Sequence, residues 1–352
     1  MFKDLLARVT SHQEMSDREV AEFIGAINDG RLTDAQLAGF LVALLMKGVT
    51  SAELVSITRA LRGNCVALKP KVEGDLMDTC GTGGGLSTFN ISTATAIVAA
   101  AGGIPVAKHG SRSISSHSGS TDVLEALGVE INLSPRAVEK MIEEIGIAFI
   151  YAPLFHPVMC KVLPTEAALG IKTFFYTIIG PLINPAFAPR HLLGVYRPDL
   201  LETVARVAKE VGFTHAMFVH GLDGVDEISL LGKTRVIELI NGETTTYEIA
   251  PEDFGLARCA LEDIKSQKPE ANAGLINGVF LGDICGAPRD AIVFNSAGAL
   301  KVGGRANSFP EGIALANELI DSGQAARKLK QLREMSRSFE PVPQKGKKDD
   351  AR

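Results

Sequence analysis

The sequence predicts an α/β protein in which a small N-terminal helical domain packs on a larger domain with a mostly parallel central sheet. Two observations predict this class. Residues 1–70 contain repeated helix-start signals, and after Pro70 short apolar runs alternate with longer stretches of helical periodicity. Such alternation is typical of a parallel sheet that is covered by helices.

The N-terminal helices are predicted from capping boxes. In this motif a Ser or Thr side chain accepts a hydrogen bond from the first helical turn, and a Glu or Gln three residues later bonds back to it. The motif occurs at Ser16-x-x-Glu19, Thr33-x-x-Gln36 and Thr50-x-x-Glu53. We therefore expect a small helical bundle, and its residues suggest no chemistry.

After Pro70 the predicted strands are short apolar runs at 76–77, 104–107, 148–151, 192–196 and 216–219. The predicted helices between them lie at 92–101, 122–128, 134–145 and 200–211. Asn241-Gly242 predicts a tight hairpin turn between strand-like runs at 235–240 and 244–249. The C-terminal third is again predicted to be helical.

Composition excludes several classes of function. The chain of 352 residues has a formal net charge of −5, which disfavours a nucleic-acid or anionic-membrane partner. Its five cysteines show no C-x-x-C spacing, which favours free thiols in a reducing cytoplasm. The N-terminus has no signal core, and the longest apolar run, 94–107, is too short to span a membrane. We expect a soluble, cytoplasmic protein.

The segment GTGGGLSTFNIST at 81–93 lies between a predicted strand and a predicted helix. A glycine loop before a helix start binds anions through backbone N–H groups and the positive helix end. Hydroxyls at Thr88, Ser92 and Thr93 add ligands for phosphate or a divalent cation. Neither the Walker pattern nor G-x-G-x-x-G fits this segment. Phosphate binding is the stronger interpretation, and a tight turn without a ligand is the alternative.

Two further polar segments follow predicted strands. KHGSRSISSHSGS at 108–120 combines two fixed cations, two histidines and several serines, which suits a polyanion. Asp226-Glu227, in VHGLDGVDE at 219–227, offers paired carboxylates of the kind that bind Mg²⁺. Each segment alone also fits a solvated loop. Together they favour a ligand site, because ligands of open α/β sheets bind at strand ends.

These motifs resemble those of the anthranilate phosphoribosyltransferase family. The resemblance rests on GTGG…TFNIST, KHGSRSISSHSGSTDVLEALG, GPLINPA at 180–186, VHGLDGVDE and PEDFGL at 251–256, in that order along the chain. It implies a fold of the nucleoside phosphorylase/phosphoribosyltransferase type. The implied domains are a helical domain at 1–70 with a returning segment near 150–190 and a donor-binding α/β domain at 71–340. The charged composition at 341–352 predicts a disordered tail.

The resemblance also implies a homodimeric enzyme that transfers 5-phosphoribose from phosphoribosyl pyrophosphate (PRPP) to anthranilate, a step of tryptophan biosynthesis, with Mg²⁺. The residues implied to bind PRPP are Gly81, Gly84, Thr88, Asn90, Ile91, Ser92, Thr93, Lys108, Ser116 and Ser120. Those implied to hold Mg²⁺ are Ser92, Asp226 and Glu227. Lys108 and Arg112 would stabilise departing pyrophosphate, and His109 would lie near the amine unless it is a structural histidine.

The amine-binding segment departs from the family pattern. The implied acceptor pocket contains Gly81, His109, Ser111 (where the family usually has Asn), and the position of a family arginine that binds the anthranilate carboxylate. Aligning the pattern R-R-E-L-G-I-R-T-I-F-N-L-L-G-P-L on Leu169-Gly170 puts Glu166 at that position, and aligning it on Gly180-Pro181-Leu182 puts Ala167 there. The family Asn before GPL becomes Tyr176 or Thr177, and the glycine loop is one residue shorter than usual. Lys172 and Arg190 are candidate replacements for the missing cation.

Three alternatives to anthranilate transfer remain. The same reaction on another aromatic amine or nitrogen base fits the missing arginine. A non-enzymatic nucleic-acid-binding paralogue predicts a basic groove and a broken metal site, and the sequence shows neither. A pyrimidine-nucleoside phosphorylase predicts Lys-His-Ser-Thr-Gly-Gly, whereas this chain has Lys-His-Gly-Ser-Arg.

Overall fold

A computed structural model describes residues 2–112, 118–171 and 173–343, with the backbone alone at Tyr176. The chain begins with four helices, α1 (Phe2–Thr10), α2 (Asp17–Asn28), α3 (Asp34–Lys47) and α4 (Ser51–Gly63). All three predicted capping boxes are confirmed at the starts of α2, α3 and α4. The bundle therefore begins each of these helices with its first N–H groups satisfied by local side chains.

Within the described residues, seven strands form one sheet in the order β3-β2-β1-β4-β5-β6-β7. The strands are β1 (Met77–Gly81), β2 (Val106–Gly110), β3 (Ile147–Tyr151), β4 (Arg190–Gly194), β5 (His215–Gly221), β6 (Thr234–Ile240) and β7 (Glu243–Ile249). Strands β1 to β5 pair in parallel, and β6 and β7 add an antiparallel hairpin. The mostly parallel sheet is confirmed, and so is the Asn241-Gly242 turn, where both residues have positive φ.

Helices cover the sheet along the rest of the chain. They are α5 (Ile91–Ala101), α6 (Ser120–Ala126), α7 (Pro135–Ile145), α8 (Ala152–Phe155), α9 (Met159–Leu169), α10 (Leu201–Glu210), α11 (Leu261–Ile264), α12 (Pro269–Leu281), α13 (Ala287–Val302), α14 (Phe309–Asp321) and α15 (Gln324–Ser336). Between α9 and β4 a π-helical turn, Phe175–Ile179, leads directly into a 3₁₀ turn, Gly180–Leu182. No helix in the described ranges is long and apolar enough to cross a membrane.

The sheet separates two hydrophobic cores. On one face, Met77 and Met217 pack with α5 and the C-terminal helices. On the other face, Leu193 and Phe218 pack with the N-terminal bundle and with apolar residues of 158–183. Residues 158–183 thus join the bundle to the α/β domain, and the loops at the carboxyl ends of the parallel strands face this junction.

Arg62, near the end of α4, links the bundle to the 3₁₀ turn. Its Nε donates to the carbonyl oxygen of Leu182 at 3.0 Å, and its Nη1 donates to that of Val211 at 2.7 Å. The guanidinium also lies over the rings of Phe187 and Phe213. Burial lowers the pKa of Arg62 to about 10, so the side chain stays charged at neutral pH. The contacts of Arg62 hold the 3₁₀ turn in place, and this turn forms part of the wall of the cavity described next.

Candidate active site

A cavity of about 650 Å³ lies at the carboxyl ends of β1 and β2, between the α/β domain and the segment 152–183. Its volume is in the range of small-molecule sites. Twelve sequence-predicted residues line it: Gly81, Gly84, Thr88, Asn90, Ser92, Lys108, His109, Ser111, Arg112, Ser120, Asp226 and Glu227. Three separate loops of the sequence therefore meet at one site, as the strand-end rule predicts.

The glycine loop packs against the backbone at Asp226. Gly83 donates its N–H to Asp226 Oδ2 at 2.9 Å, with φ +65° at Gly83 itself. A Cβ on Gly81 would lie 2.5 Å from the same carboxylate oxygen, and a Cβ on Gly194 would lie 1.7 Å from the carbonyl oxygen of Asp226. The small residues at the ends of β1 and β4 thus allow the acidic loop to reach the cavity.

Ser92 and Lys108 lie next to each other and close to Glu227. Ser92 is in the first turn of α5, and the Nζ of Lys108 lies 3.3 Å from its Oγ. Lys108 Nζ also donates to the carbonyl oxygen of Thr79, which holds the buried lysine at the end of β2. Lys108 therefore places a fixed positive charge in the half of the cavity that the glycine loop also lines.

The two acidic residues are half-buried and close to each other. Burial, together with repulsion by Asp226, raises the pKa of Glu227 to about 8, although Lys108 and the backbone N–H of Ser92 oppose this shift. Burial also raises the pKa of Asp226. Glu227 contacts the first turn of α5 through the Ser92 N–H, and Asp226 contacts the glycine loop through Gly83, so a cation beside them would relieve their unfavourable negative charge.

Asp78, which the sequence motifs did not indicate, does not line the cavity but forms hydrogen bonds to two separate segments near it. Its Oδ1 accepts from the backbone N–H of His109 at 3.1 Å, and its Oδ2 accepts from Asn184 Nδ2 at 2.7 Å. Burial raises the pKa of Asp78 to about 6 against the attraction of Lys108. Asp78, Cys80 and His191 place potential ligand atoms within 4.8 Å of one another. Because both oxygens of Asp78 already accept hydrogen bonds, we assign this group a structural role.

Among the described residues, the other half of the cavity is mostly apolar, with two imidazoles and the Cys160 thiol as its polar groups. Met159, Leu163, Pro164, Phe175, Pro181 and Ile183 line this half. The rings of His109 and His156 lie 4.9 Å apart, and the Nε2 atom of each is buried without a partner among the described residues. Burial lowers the pKa of His109 well below its usual value and that of His156 to about 4, so both rings are neutral at pH 7.

Arg112 lines the cavity, but its charge is already paired. Its Nη1 lies 2.9 Å from Asp122 and 2.6 Å from Glu125, and its Nη2 lies 2.7 Å from the other oxygen of Glu125. The guanidinium also lies over the ring of Tyr151. Any role of Arg112 in holding an anion therefore requires these ion pairs to rearrange.

Two predicted donor-binding residues do not reach the cavity. Ile91 is in the hydrophobic core, and Thr93 is fully buried with a hydroxyl that has no partner among the described residues. Each helical residue turns by about 100°, so that residues flanking Ser92 face away when Ser92 faces the cavity. The side chains of Ile91 and Thr93 are therefore not in place to contact a ligand in this structure, and their predicted role in binding PRPP stays a prediction. Ser116 lies outside the described residues.

Glu166 and Ala167 do not line the cavity of this structure, so their predicted place in the acceptor pocket stays a prediction without a contact to support it. Glu166 is only 3 % exposed, and its carboxylate accepts from the backbone N–H of Thr173 at 3.1 Å and from the Thr173 hydroxyl. Ala167 is exposed on the outside of α9, and neither residue lines the cavity. Arg190 pairs with Asp75 away from the site, and Lys172 lies outside the described residues. His156, Leu163 and Phe175 line this half instead, and the sequence motifs had not singled them out.

Comparison with known proteins first defines the class. Residues 3–65 match the family model "Glycosyl transferase family, helical bundle domain", and residues 73–326 match "Glycosyl transferase family, a/b domain". Relatives named anthranilate phosphoribosyltransferase include that of Acetivibrio thermocellus, 46% identical over 340 residues, which cover 96% of this chain and 98% of the relative. That of Thioalkalivibrio sulfidiphilus is 46% identical over 333 residues, which cover 94% and 97%.

Solved structures agree with this assignment. The anthranilate phosphoribosyltransferase of Thermus thermophilus matches with a TM-score of 0.88 and 38% identity, covering 95% of this chain and 99% of the other. The Saccharomyces cerevisiae enzyme in complex with PRPP and Mg matches with a TM-score of 0.87 and 27% identity, covering 96% and 98%. This chain belongs to the anthranilate phosphoribosyltransferase family of pentosyltransferase enzymes, as the motifs predicted.

Replacing Gly194 by Ala tests the close approach of Asp226. The new Cβ would require the backbone at Asp226 to move, so we expect the free energy of unfolding in urea to fall by roughly 3 kcal/mol. Gly63→Ala is the matched control, because a Cβ there meets nothing within 4 Å at the end of α4. Equal unfolding free energies for the two variants would contradict the packing described here.

Proposed function

We propose that this chain transfers 5-phosphoribose from PRPP to the amino group of an aromatic amine and releases pyrophosphate. The observation that supports this most directly is the meeting of the glycine loop, Lys108 and the acidic pair Asp226-Glu227 in one cavity that also has an apolar, imidazole-lined half. Anthranilate is the reference acceptor, because the relatives are named for it. With anthranilate the reaction belongs to tryptophan biosynthesis.

The polar half of the cavity fits PRPP. Lys108 faces the glycine loop, and Thr88, Asn90 and Ser120 add polar groups around it. Asn90 is itself fixed, because its Oδ1 accepts from Ser118 Oγ and from Asn272 Nδ2 at 3.1 Å each. Preorganised donors of this kind stabilise charge that develops on the departing pyrophosphate without having to reorient.

The same half fits Mg²⁺. Ser92, Asp226 and Glu227 offer hard oxygen ligands, and burial raises the pKa of both carboxylates, so a bound cation would favour their charged form. We assign these three residues as the ligands. When bound, Mg²⁺ would neutralise charge on the pyrophosphate group.

In the transfer, the amine nitrogen forms a bond to C1 of the ribose while the bond from C1 to the pyrophosphate oxygen breaks, and the electron pair of that bond leaves with pyrophosphate. The nitrogen then loses one proton, which the released pyrophosphate or water takes up. His109 donates a hydrogen bond to the Gly180 carbonyl, and because its Nε2 has no partner among the described residues, the donor is its other ring nitrogen. The Nε2 lone pair can therefore accept the amine N–H and hold the nitrogen towards the donor half.

Steady-state pyrophosphate release tests this proposal. Purified protein with PRPP, Mg²⁺ and either anthranilate or aniline should release pyrophosphate only when an amine is present. We expect kcat/KM of about 10⁴ M⁻¹s⁻¹ or more for the preferred amine. Lys108→Met should lower kcat by about 100-fold or more, because it removes the fixed cation at the leaving group.

Lys140→Met is the matched control, because Lys140 is exposed and forms its ion pair with Glu144 within α7. It should leave turnover unchanged. Absence of amine-dependent pyrophosphate release with every amine offered would contradict the proposed reaction. Full activity in Lys108→Met would contradict the role of the lysine.

We further propose that two copies pair through the outer face of α3 and that the protein is cytoplasmic, as its free cysteines favour. Val42, Leu45 and Met46 share one helix face and are 40%, 45% and 76% exposed, an unusual apolar surface for a monomer. Sedimentation should give a dimer for the wild type and a monomer for Met46→Glu. Leu281→Glu, at another exposed apolar residue, should stay dimeric. A monomeric wild type would contradict pairing.

A further inference from the structure

The amine half of the cavity contains no free cation among the described residues. Of the side chains that line the whole cavity there, only Lys108 and Arg112 carry a fixed positive charge. Lys108 is held between Thr79 and Ser92 in the polar half, and Arg112 is paired with Asp122 and Glu125. An acceptor carboxylate placed among Met159, Leu163 and Phe175 would therefore lose its hydration without gaining a counter-charge.

Of the imidazoles in this half, His109 is suited to bind a hydrogen-bond donor. His109 and His156 are neutral, and each has an Nε2 atom without a partner in the part of the chain that the structure describes. His109 uses its other nitrogen as a donor, so its Nε2 is an acceptor. Such an atom binds an N–H group and repels a carboxylate oxygen, because both carry lone pairs.

Glu166 does not line this half of the cavity, but it is connected to a lining residue through hydrogen bonds to Thr173. The carboxylate accepts from the N–H and the hydroxyl of Thr173, and the Thr173 Oγ1 in turn accepts from the backbone N–H of Phe175 at 3.2 Å. Phe175 lines the cavity. A chain of hydrogen bonds therefore runs from Glu166 near the end of α9 to the backbone of Phe175, a residue that lines this half.

The backbone around Phe175 is also unusual. The two alignments of the family pattern differ by one position, so this segment has one residue more than the pattern between Leu169-Gly170 and the GPL motif. The structure accommodates it in the π-helical turn Phe175–Ile179, a form that places one additional residue in a turn and occurs often at functional sites. The additional residue and the hydrogen bonds between Glu166 and Thr173 therefore lie in the same stretch of chain, 166–179.

We infer that the amine half of the cavity takes an uncharged aromatic amine that lacks a carboxylate, and that Glu166 is a positioning residue which holds Phe175 against that amine through Thr173. The inference rests on the proposed phosphoribosyl transfer for its biological meaning. The inference predicts that the cavity binds an uncharged amine more tightly than one with a carboxylate, and this preference can be measured without turnover.

The preference is tested with anthranilate and anthranilamide. The two compounds have the same ring, amine and shape, but the amide is uncharged. Both fluoresce, and the protein has no tryptophan to interfere, so each can be titrated directly at equilibrium. We expect anthranilamide to bind about tenfold or more tightly than anthranilate, because only the carboxylate loses charge-stabilising water.

Equal affinities, or tighter binding of anthranilate, would overturn the inference and would indicate a cation outside the described residues. The same two compounds are also offered in the pyrophosphate-release assay, which shows independently of the binding result whether the proposed reaction occurs. Release with either amine supports the reaction whichever compound is preferred. Lack of release with both, alongside a clear binding preference, would reject the reaction and leave the binding inference standing.

The role of Glu166 is tested with three variants. Glu166→Gln keeps an oxygen that accepts from Thr173, so it should retain the wild-type KM for the amine. Glu166→Ala and Thr173→Val break the same chain of hydrogen bonds, so each should raise that KM about tenfold while leaving the KM for PRPP unchanged. Thr165→Ala, on the same helix with its hydroxyl bonded to the Lys161 carbonyl, is the control.

A change in both KM values, or none in the amine KM, would show that Glu166 only stabilises the fold. Loss of amine binding in Glu166→Gln with normal binding in Thr173→Val would show that the carboxylate itself touches the acceptor. Either result would overturn the positioning role.

Discussion

At the carboxyl ends of β1 and β4 the backbone of Asp226 lies so close to Gly194 that a Cβ there would be 1.7 Å from its carbonyl oxygen. The cavity depends on this approach. It brings the acidic loop after β5 to the glycine loop after β1, where Gly83 donates to the Asp226 carboxylate. The same approach brings Glu227 to Ser92 at the start of α5. The glycines are thus needed by the protein's own backbone as well as by any bound anion.

The two halves of the cavity offer a ligand different kinds of interaction. In the polar half, fixed charges of opposite sign face each other at the ends of parallel strands, where backbone N–H groups and a helix start also point. In the other half, α9 and the turns at 175–182 supply apolar side chains and two neutral imidazoles. The bundle supports this second half through Arg62, whose guanidinium holds the Leu182 carbonyl. Under the proposed function, the residues that would bind the donor and those that would bind the amine therefore belong to different segments of the chain.

Local signals in the sequence were sufficient to predict much of the fold. The capping boxes at Ser16, Thr33 and Thr50 involve residues three apart, so no distant contact was needed to identify them. The polar half was also predictable, because its motifs follow strands whose ends meet at one edge of a parallel sheet. By contrast, a contiguous motif cannot show which of Ile91, Ser92 and Thr93 faces the cavity. That is decided by how α5 packs.

The acceptor half could not be read from the sequence for a related reason. Glu166 occupies the position of a family arginine in one alignment, but Thr173 satisfies its carboxylate across the end of α9, and nothing in the spacing indicates this contact. Asp78 has no motif of its own, although it joins His109 to Asn184. Both are buried charges whose partners come from other segments, and such partners are set by tertiary packing.

The central claim is that the polar half holds PRPP together with Mg²⁺ through Asp226. Calorimetric titration of PRPP into wild type and Asp226→Asn, with Mg²⁺ and again with a chelator, tests it most directly. We predict that removal of Mg²⁺ weakens PRPP binding to the wild type by about tenfold or more, and that Asp226→Asn binds weakly under both conditions. PRPP affinity that is unchanged by the chelator and by the substitution would contradict the claim.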